Sequence, residues 1–149
     1  MKRTKRERKC LECGGLVRAL AKAGRTMPYR NVPALTVPKG LELPTCEKCG
    51  EVYLDAKTSE RLDDALEGEY RVLLAKLARA ALERLGHTVS KQQLEIYLGL
   101  SQGYLSKLPE KPTSAVLVNL LALLAADPER GLKVVRSIWD SDATSRETR

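Results

Sequence analysis

The sequence predicts a mostly α-helical protein, with a small β-containing domain at the N-terminus followed by a five-helix domain. Two observations support this division. All four cysteines fall in the first third of the 149 residues, where prolines interrupt the apolar residues. From Asp55 onward, apolar residues instead recur every three or four positions, as they do on one face of a helix. A chain of this length can hold two small domains.

The cysteines form two C-x-x-C pairs, each followed by glycine, which is the spacing of a four-cysteine zinc site. Glycine there allows the tight turns that such pairs need. We therefore predict one structural Zn²⁺ per chain, bound by Cys10, Cys13, Cys46 and Cys49. Disulfides or a redox pair fit less well, because no apolar signal segment follows the basic N-terminus and a redox motif needs only one pair. A catalytic zinc would need an open ligand position.

The zinc domain is predicted to span residues 10–67. Few apolar residues lie between the two cysteine pairs, and four prolines space them. Such a segment cannot bury enough surface to fold alone, so zinc is expected to hold it together. Chelation should then unfold residues 10–55 while the helical domain persists.

The net charge of +7 lies entirely in residues 1–26, which contain nine Lys or Arg and two Glu. The simplest interpretation of residues 1–9 is a solvated, flexible basic tail, with phosphate contact as the alternative. The low aromatic content argues against a stacking surface for single-stranded nucleic acid. No segment reaches transmembrane length, so a cytoplasmic protein is expected.

Helical periodicity predicts one helix over residues 56–67, which closes the zinc domain, and a second over 69–85, with Gly68 between them. The second domain is predicted to span 69–139. Its last two helices cover 114–126, capped by Thr113 or Ser114, and a segment that starts at Asp127-Pro128. Trp139, near the end, belongs to the core or faces a partner subunit, and residues 140–149 are expected to be a flexible tail.

Residues 90–108 match a helix-turn-helix, in which a glycine occupies the turn and apolar residues hold two helices at a steep angle. Aligning Gly99 on the turn assigns leucine to all five buried positions. Ser90 and Ser101 are predicted to cap the two helices. Glu95 departs from the pattern, because a small residue usually occupies its position. The outward residues that could contact DNA are Ser101, Gln102, Gly103, Ser106 and Lys107.

These features together resemble the MqsA-type antitoxins, in which a YgiT-type zinc finger precedes an Xre-class helix-turn-helix. The resemblance covers residues 10–139, and its specific parts are the two cysteine pairs, the segment Tyr29–Ala34 and the segment Gly50–Asp55. It implies an antitoxin that binds its own operator as a homodimer through the C-terminal domain. It also implies a toxin partner that contacts mostly the zinc domain.

Some residues depart from the family pattern. The family reads bases with an Asn and, four residues later, an Arg, and the matching residues here are Gly103 and Lys107. Base reading would therefore fall to Gln102, which can bond adenine, and to Lys107, which can reach guanine or phosphate. The basic segment before Cys10 is also longer than the usual start of the family.

Three functions remain open on the sequence alone. The first is a bacterial antitoxin that represses its own operon, and the second is a stand-alone phage or mobile-element repressor without a toxin. The third is a protein-interaction adaptor that has lost DNA contact, because residues 87–111 hold only three Lys against two Glu. An enzyme is not expected: His87, the single histidine, lies between two helices without a catalytic arrangement around it in sequence.

Overall fold

The fold was analysed in a computed structural model, which describes residues 8–110 and 113–144. The chain divides into two compact units, residues 1–70 and 71–149. The expectations for the N-terminal tail up to residue 7, for residues 145–149 and for the Trp139 side chain lie outside the described part. No helix within that part is both long and apolar enough to span a membrane.

The N-terminal unit contains two small antiparallel sheets. Strands β1, β2 and β5 form one sheet in that order, and β3 and β4 form a hairpin. Arg8 and Lys9 make up β1 and pair with Val17 and Leu16, so ordered structure begins inside the segment predicted to be a flexible tail. The strands are β1 (Arg8–Lys9), β2 (Leu16–Ala21), β3 (Thr26–Tyr29), β4 (Val32–Thr36) and β5 (Glu42–Cys46).

One long helix, α1 (Ala56–Leu85), replaces the two helices predicted on either side of Gly68. Glycine inside a helix costs only about 1 kcal/mol relative to alanine. The buried stripe of α1 continues across Gly68 without a break, and burying it outweighs that cost. The buried residues on either side of the glycine are Leu62, Leu66, Tyr70 and Leu74.

Asp55 begins α1. Its carboxylate accepts a hydrogen bond from the Thr58 N–H at 2.8 Å, which satisfies a backbone group that the first turn leaves unpaired. Hydrogen bonds from the Thr58 side chain and backbone lower the pKa of Asp55. The Asp55 cap thus fixes the start of α1 at Ala56, seven residues after Cys49.

The β3–β4 hairpin is fastened to the first half of α1 by polar and aromatic contacts. The Tyr29 hydroxyl donates to Glu67 at 3.0 Å, and the Tyr70 hydroxyl donates to Asn31 at 2.6 Å. Arg30, at the turn with a φ of 50°, pairs with Glu67 at 2.8 Å. Its guanidinium also lies over both tyrosine rings. The N-terminal core thus includes part of a helix, the sheet residues Leu35 and Leu43, and Val37, which directly follows β4, and all three of these residues are buried.

The C-terminal unit contains the rest of α1 and three further helices, α2 (Lys91–Tyr97), α3 (Ala115–Ala126) and α4 (Pro128–Thr144). Among the described residues the protein has four α-helices, and the predicted five-helix C-terminal domain is wrong. The segment predicted as the second helix of the helix-turn-helix is a turn followed by a 3₁₀ helix over Leu105–Glu110. Gly103 has a φ of 77°, outside the helical range, and Pro109 follows six residues later, so too few residues remain for a stable α-helix.

Three predicted helix starts are confirmed. Ser90 accepts a hydrogen bond from the Gln93 N–H, and Ser114 accepts one from the Leu117 N–H. Asp127 accepts one from the Arg130 N–H at 3.2 Å, with Pro128 as the first residue of α4. Ser101, in contrast, caps no α-helix. The backbone of α4 continues to Thr144, beyond the predicted start of the C-terminal tail at residue 140.

Candidate metal centre and nucleic-acid interface

Each cysteine pair forms a tight hydrogen-bonded turn. In the first, the Cys10 N–H donates to the Gly15 carbonyl at 2.7 Å, and the Gly14 N–H donates back to the Cys10 carbonyl at 3.0 Å. In the second, the Cys46 N–H donates to the Glu51 carbonyl at 2.8 Å and the Gly50 N–H to the Cys46 carbonyl at 3.0 Å. Each turn holds its two thiols within 4.8 Å of each other.

The β2–β5 pairing brings the two turns together. Val17, just after the first turn, lies opposite Cys46, which begins the second. A Cβ at Gly15 would lie 3.0 Å from the Cys46 sulfur and 2.8 Å from the Lys48 Cβ. Gly15 is therefore needed because the two turns approach closely at this position.

The four predicted ligands form a compact cluster. The Cys10 and Cys49 sulfurs are 3.6 Å apart, the Cys13 and Cys46 sulfurs are 3.5 Å apart, and all four sulfurs lie within 4.8 Å of one another. A disulfide would require about 2.05 Å. A tetrahedron with zinc–sulfur bonds of 2.3 Å has edges of about 3.8 Å, and four thiolates are a donor set that zinc prefers. The cluster can therefore hold a metal ion and fits one structural zinc.

The four thiols differ in their surroundings. Cys10 and Cys46 are buried, Cys13 is half-buried and Cys49 is exposed. A hydrogen bond from the Tyr53 hydroxyl lowers the pKa of Cys10 to about 6, and a backbone hydrogen bond from Cys49 lowers the pKa of Cys46. For Cys49, a backbone hydrogen bond with Glu51 acts to lower the pKa, but hydrogen bonds with the neighbouring thiols, together with partial desolvation, raise it to about 12. The pKa values of the two buried thiols are thus lowered, whereas that of Cys49 is raised.

A turn is present at Gly99, at the predicted position, and the glycine has a φ of 64°. The Leu100 N–H donates to the Glu95 carbonyl at 2.8 Å across this turn and closes the end of α2. Five leucines were assigned to buried positions. Leu94, Leu105 and Leu108 are buried, and Leu98 and Leu100 are half-buried.

Glu95, which departs from the helix-turn-helix pattern, is hydrogen-bonded to backbone groups beyond the turn. Its side chain is buried, with 4% of its surface exposed. The two carboxylate oxygens accept hydrogen bonds from the Gly103 and Leu105 N–H groups, each at 2.9 Å. Glu95 therefore fixes the segment after the turn to α2, a role that the sequence analysis did not assign to it.

The predicted DNA-contacting residues lie in the turn and the 3₁₀ helix that Glu95 holds. Gly103 is half-buried and has no side chain with which to contact a base. Lys107 is the only cation of the set. Apart from Gly103, the residues of the set are exposed: Ser101, Gln102, Ser106 and Lys107.

Comparisons with known proteins add no identification. No protein-family model matches the chain, and neither the curated proteins nor the solved structures include a significant match.

Proposed function

We propose that the protein is a zinc-containing, DNA-binding transcriptional regulator, and that it acts as an antitoxin that represses its own operon. The observation that supports this most directly is the combination of a four-cysteine cluster in one compact unit with a capped helix, glycine turn and exposed polar segment in the other. In this proposal one Zn²⁺ per chain is bound by the four cysteines and has a structural role.

The support for DNA binding is the exposed segment that follows the Gly99 turn. A helix-turn-helix contacts base edges through the residues that follow its turn, while the first helix of the motif crosses the DNA backbone. Here Gln102 and Lys107 are exposed in that segment. The amide of Gln102 can bond adenine at two atoms, and Lys107 can reach guanine or a phosphate.

The test is a gel-shift titration of the zinc-loaded protein on the DNA just upstream of its own gene, repeated at two salt concentrations. A regulator is expected to shift this fragment at lower concentration than a scrambled fragment of equal length, with affinity falling as salt rises. Equal binding to both fragments, or none, would refute autorepression.

The two exposed residues should behave differently when replaced. We expect Gln102→Ala to cost about 1–3 kcal/mol on the upstream site and to relax preference at one position, because a base contact is lost. If Lys107 binds a phosphate, Lys107→Ala should weaken binding to all sequences and reduce the salt slope by about 0.9. Lys76→Ala, a change at an exposed position on α1, is the matched control. If neither change affected binding, the proposal that the segment after the Gly99 turn contacts DNA would be wrong.

A specific observation favours a second candidate, a protein-interaction adaptor. The segment that would enter the groove is a turn and a short 3₁₀ helix with Lys107 as its cation, which is a weak electrostatic surface for DNA. The gel-shift titration separates the two candidates, because an adaptor would not bind the upstream fragment specifically.

We further propose that the protein is a homodimer and that α3 forms the interface. This helix contains no charged residue, and an uncharged face can meet its own copy without repulsion. One face of α3 is buried, yet Val116, Leu120 and Leu123 on another face are 78%, 38% and 73% exposed. A helix with apolar residues on both its buried and its exposed face is typical of one that is covered on both sides.

We expect Leu123→Glu to convert the dimer to a monomer, because it introduces a charge that would lie next to its copy across a two-fold axis. The measurement is sedimentation equilibrium over a range of concentrations. Val72→Glu, at a position 65% exposed on α1, is the control and should remain dimeric. The α3 interface would be ruled out if both variants showed the same association constant as the parent.

The antitoxin part of the proposal rests on the resemblance described above and needs its own test. Co-expression with the product of the adjacent gene should restore growth if that product is a toxin. If no neighbouring gene inhibits growth, a stand-alone repressor would be the better description.

A further inference from the structure

The metal cluster has one additional side chain in direct contact with it. Among the residues that the structure describes, Tyr53 is the one non-cysteine side chain that is hydrogen-bonded to a ligand thiol. Its hydroxyl donates to the Cys10 sulfur at 3.1 Å and accepts from the Leu11 N–H at 3.0 Å. Both of these partners belong to the first cysteine turn, whereas Tyr53 follows the second turn in sequence.

The ring of Tyr53 is held from two directions. The backbone N–H of Tyr53 donates to the Pro44 carbonyl at 2.8 Å, and this bond aligns Tyr53 beside β5. The Arg8 guanidinium, on β1, lies 5.3 Å from the ring centroid, within the range of a cation–π contact. Tyr53 is thus held by one neighbour on β1 and one on β5, and these contacts place its hydroxyl at the first cysteine turn.

Four thiolates around Zn²⁺ leave a net charge of −2 on the centre, and hydrogen bonds to the sulfurs stabilise that charge. The thiols differ in the hydrogen-bond donors that they receive from other side chains. Cys10 and Cys46 are similarly buried, at 4% and 1% exposed, but only Cys10 receives a hydroxyl donor. Cys49, in contrast, is exposed.

We propose that Tyr53 is a positioning residue of the metal centre, whose hydroxyl holds the Cys10 thiolate on the metal and makes Cys10 the ligand least open to attack. This inference rests on the zinc site of the proposed function and is independent of DNA binding and of the toxin. It assigns the centre an order of release, in which Cys49 is attacked first and Cys10 last.

The first measurement compares zinc affinity in the full-length parent and in Tyr53→Phe by competition with a chromophoric chelator. The substitution keeps the ring and its contact with Arg8 but removes the hydroxyl. Loss of such a supporting hydrogen bond typically lowers metal affinity by about 10- to 100-fold, and we expect a decrease in this range. Tyr29→Phe is the matched control, because its hydroxyl donates to Glu67 in the same unit and not to a thiol.

The second measurement follows alkylation of each cysteine in the zinc-loaded protein by mass spectrometry. In the parent, Cys49 should be modified first and Cys10 last. In Tyr53→Phe, the rate at Cys10 should rise relative to that at Cys46, because both cysteines stay buried and only Cys10 loses a hydroxyl donor. The ratio should not change in Tyr29→Phe. The order in the parent tests the inference even if Tyr53→Phe does not fold.

The outcomes are distinguishable. Equal zinc affinity for the parent and Tyr53→Phe, or early modification of Cys10 in the parent, would overturn the role of Tyr53 while leaving the zinc site intact. A parent protein that takes up no zinc would overturn the metal centre of the proposed function and this inference with it.

Discussion

Chelation of the metal is expected to unfold the sheet of β1, β2 and β5 while the helices of residues 71–144 stay folded. Both cysteine turns adjoin this sheet, and Cys10 and Cys46 are among the buried residues of the N-terminal unit. A structural zinc contributes about 10–16 kcal/mol to small domains of this type. That exceeds the total stability of many domains, about 5–15 kcal/mol.

Hydrogen–deuterium exchange, measured with and without a strong chelator, would locate the loss. We expect protection to disappear over residues 8–21 and 42–53 and to persist in α2, α3 and the second half of α1. The β3–β4 hairpin should lose protection more slowly, because Tyr29, Arg30 and Asn31 contact α1 independently of the cysteines. The metal content is measured on the same sample by elemental analysis.

The matched variant replaces Cys10, Cys13, Cys46 and Cys49 with serine, which keeps the size of each side chain but removes the thiolate. It should reproduce the exchange pattern of the chelated protein. A variant that retained full protection in the sheet, or a parent without bound zinc, would show that the N-terminal unit folds without the metal.

The features that could be predicted from the sequence are those that depend on local chemistry. The spacing of the cysteines predicted a cluster that the structure contains: each pair closes its own local turn, and the pairing of β2 with β5 then brings the two turns together. Ser90, Ser114 and Asp127 could be identified as caps because a cap bonds to a backbone group two or three residues away. Gly99 was predictable because a tight turn favours glycine.

The features that the sequence did not predict depend on residues far apart in the chain. Gly68 looked like a helix boundary, but the buried stripe on either side of it keeps α1 continuous. The contacts of Tyr29 and Arg30 with Glu67 join residues nearly forty positions apart. Tyr53 is separated from Cys10 by a similar number of residues in the sequence, so no local pattern marks it as a neighbour of the metal cluster.

The 3₁₀ helix was missed for a different reason. The leucine pattern of residues 94–108 fits both an α-helix and a turn with a 3₁₀ helix, because in each case Leu105 and Leu108 point inward. The left-handed backbone of Gly103 excludes the α-helix at its start. Glu95 then supplies the hydrogen bonds that the first turn of a longer helix would have arranged differently.

Replacing Glu95 with alanine is expected to destabilise the C-terminal unit by about 2–4 kcal/mol. The change removes the acceptor of two N–H groups, those of Gly103 and Leu105, and hydrogen bonds to a charged group contribute about 1.5–3 kcal/mol each. Partial access of water to the space left by the side chain reduces the sum. Urea denaturation, followed by far-ultraviolet circular dichroism, gives the free energy of unfolding. Glu83→Ala, at an exposed position on α1, is the control and should change it little.

Glu95→Gln tests the charge with the size kept constant. An amide oxygen can still accept from one N–H, but its NH₂ group then faces the other donor. We therefore expect a loss smaller than that of alanine but clearly above that of the Glu83 control. If the DNA-binding proposal is correct, both Glu95 variants should also bind the upstream fragment more weakly, because Gln102 and Lys107 lie in the segment that Glu95 holds.

Glu95→Leu distinguishes lost hydrogen bonds from lost packing. Burying a carboxylate is itself costly, and a leucine of similar volume avoids that cost. The Gly103 and Leu105 N–H groups remain after the substitution, however, and each would be left without its partner in a buried site. If the hydrogen bonds are what stabilise the segment, leucine should be about as destabilising as alanine. A leucine variant as stable as the parent would instead mean that filling the space beside α2 is what matters, and that the carboxylate is dispensable for the fold of residues 101–110.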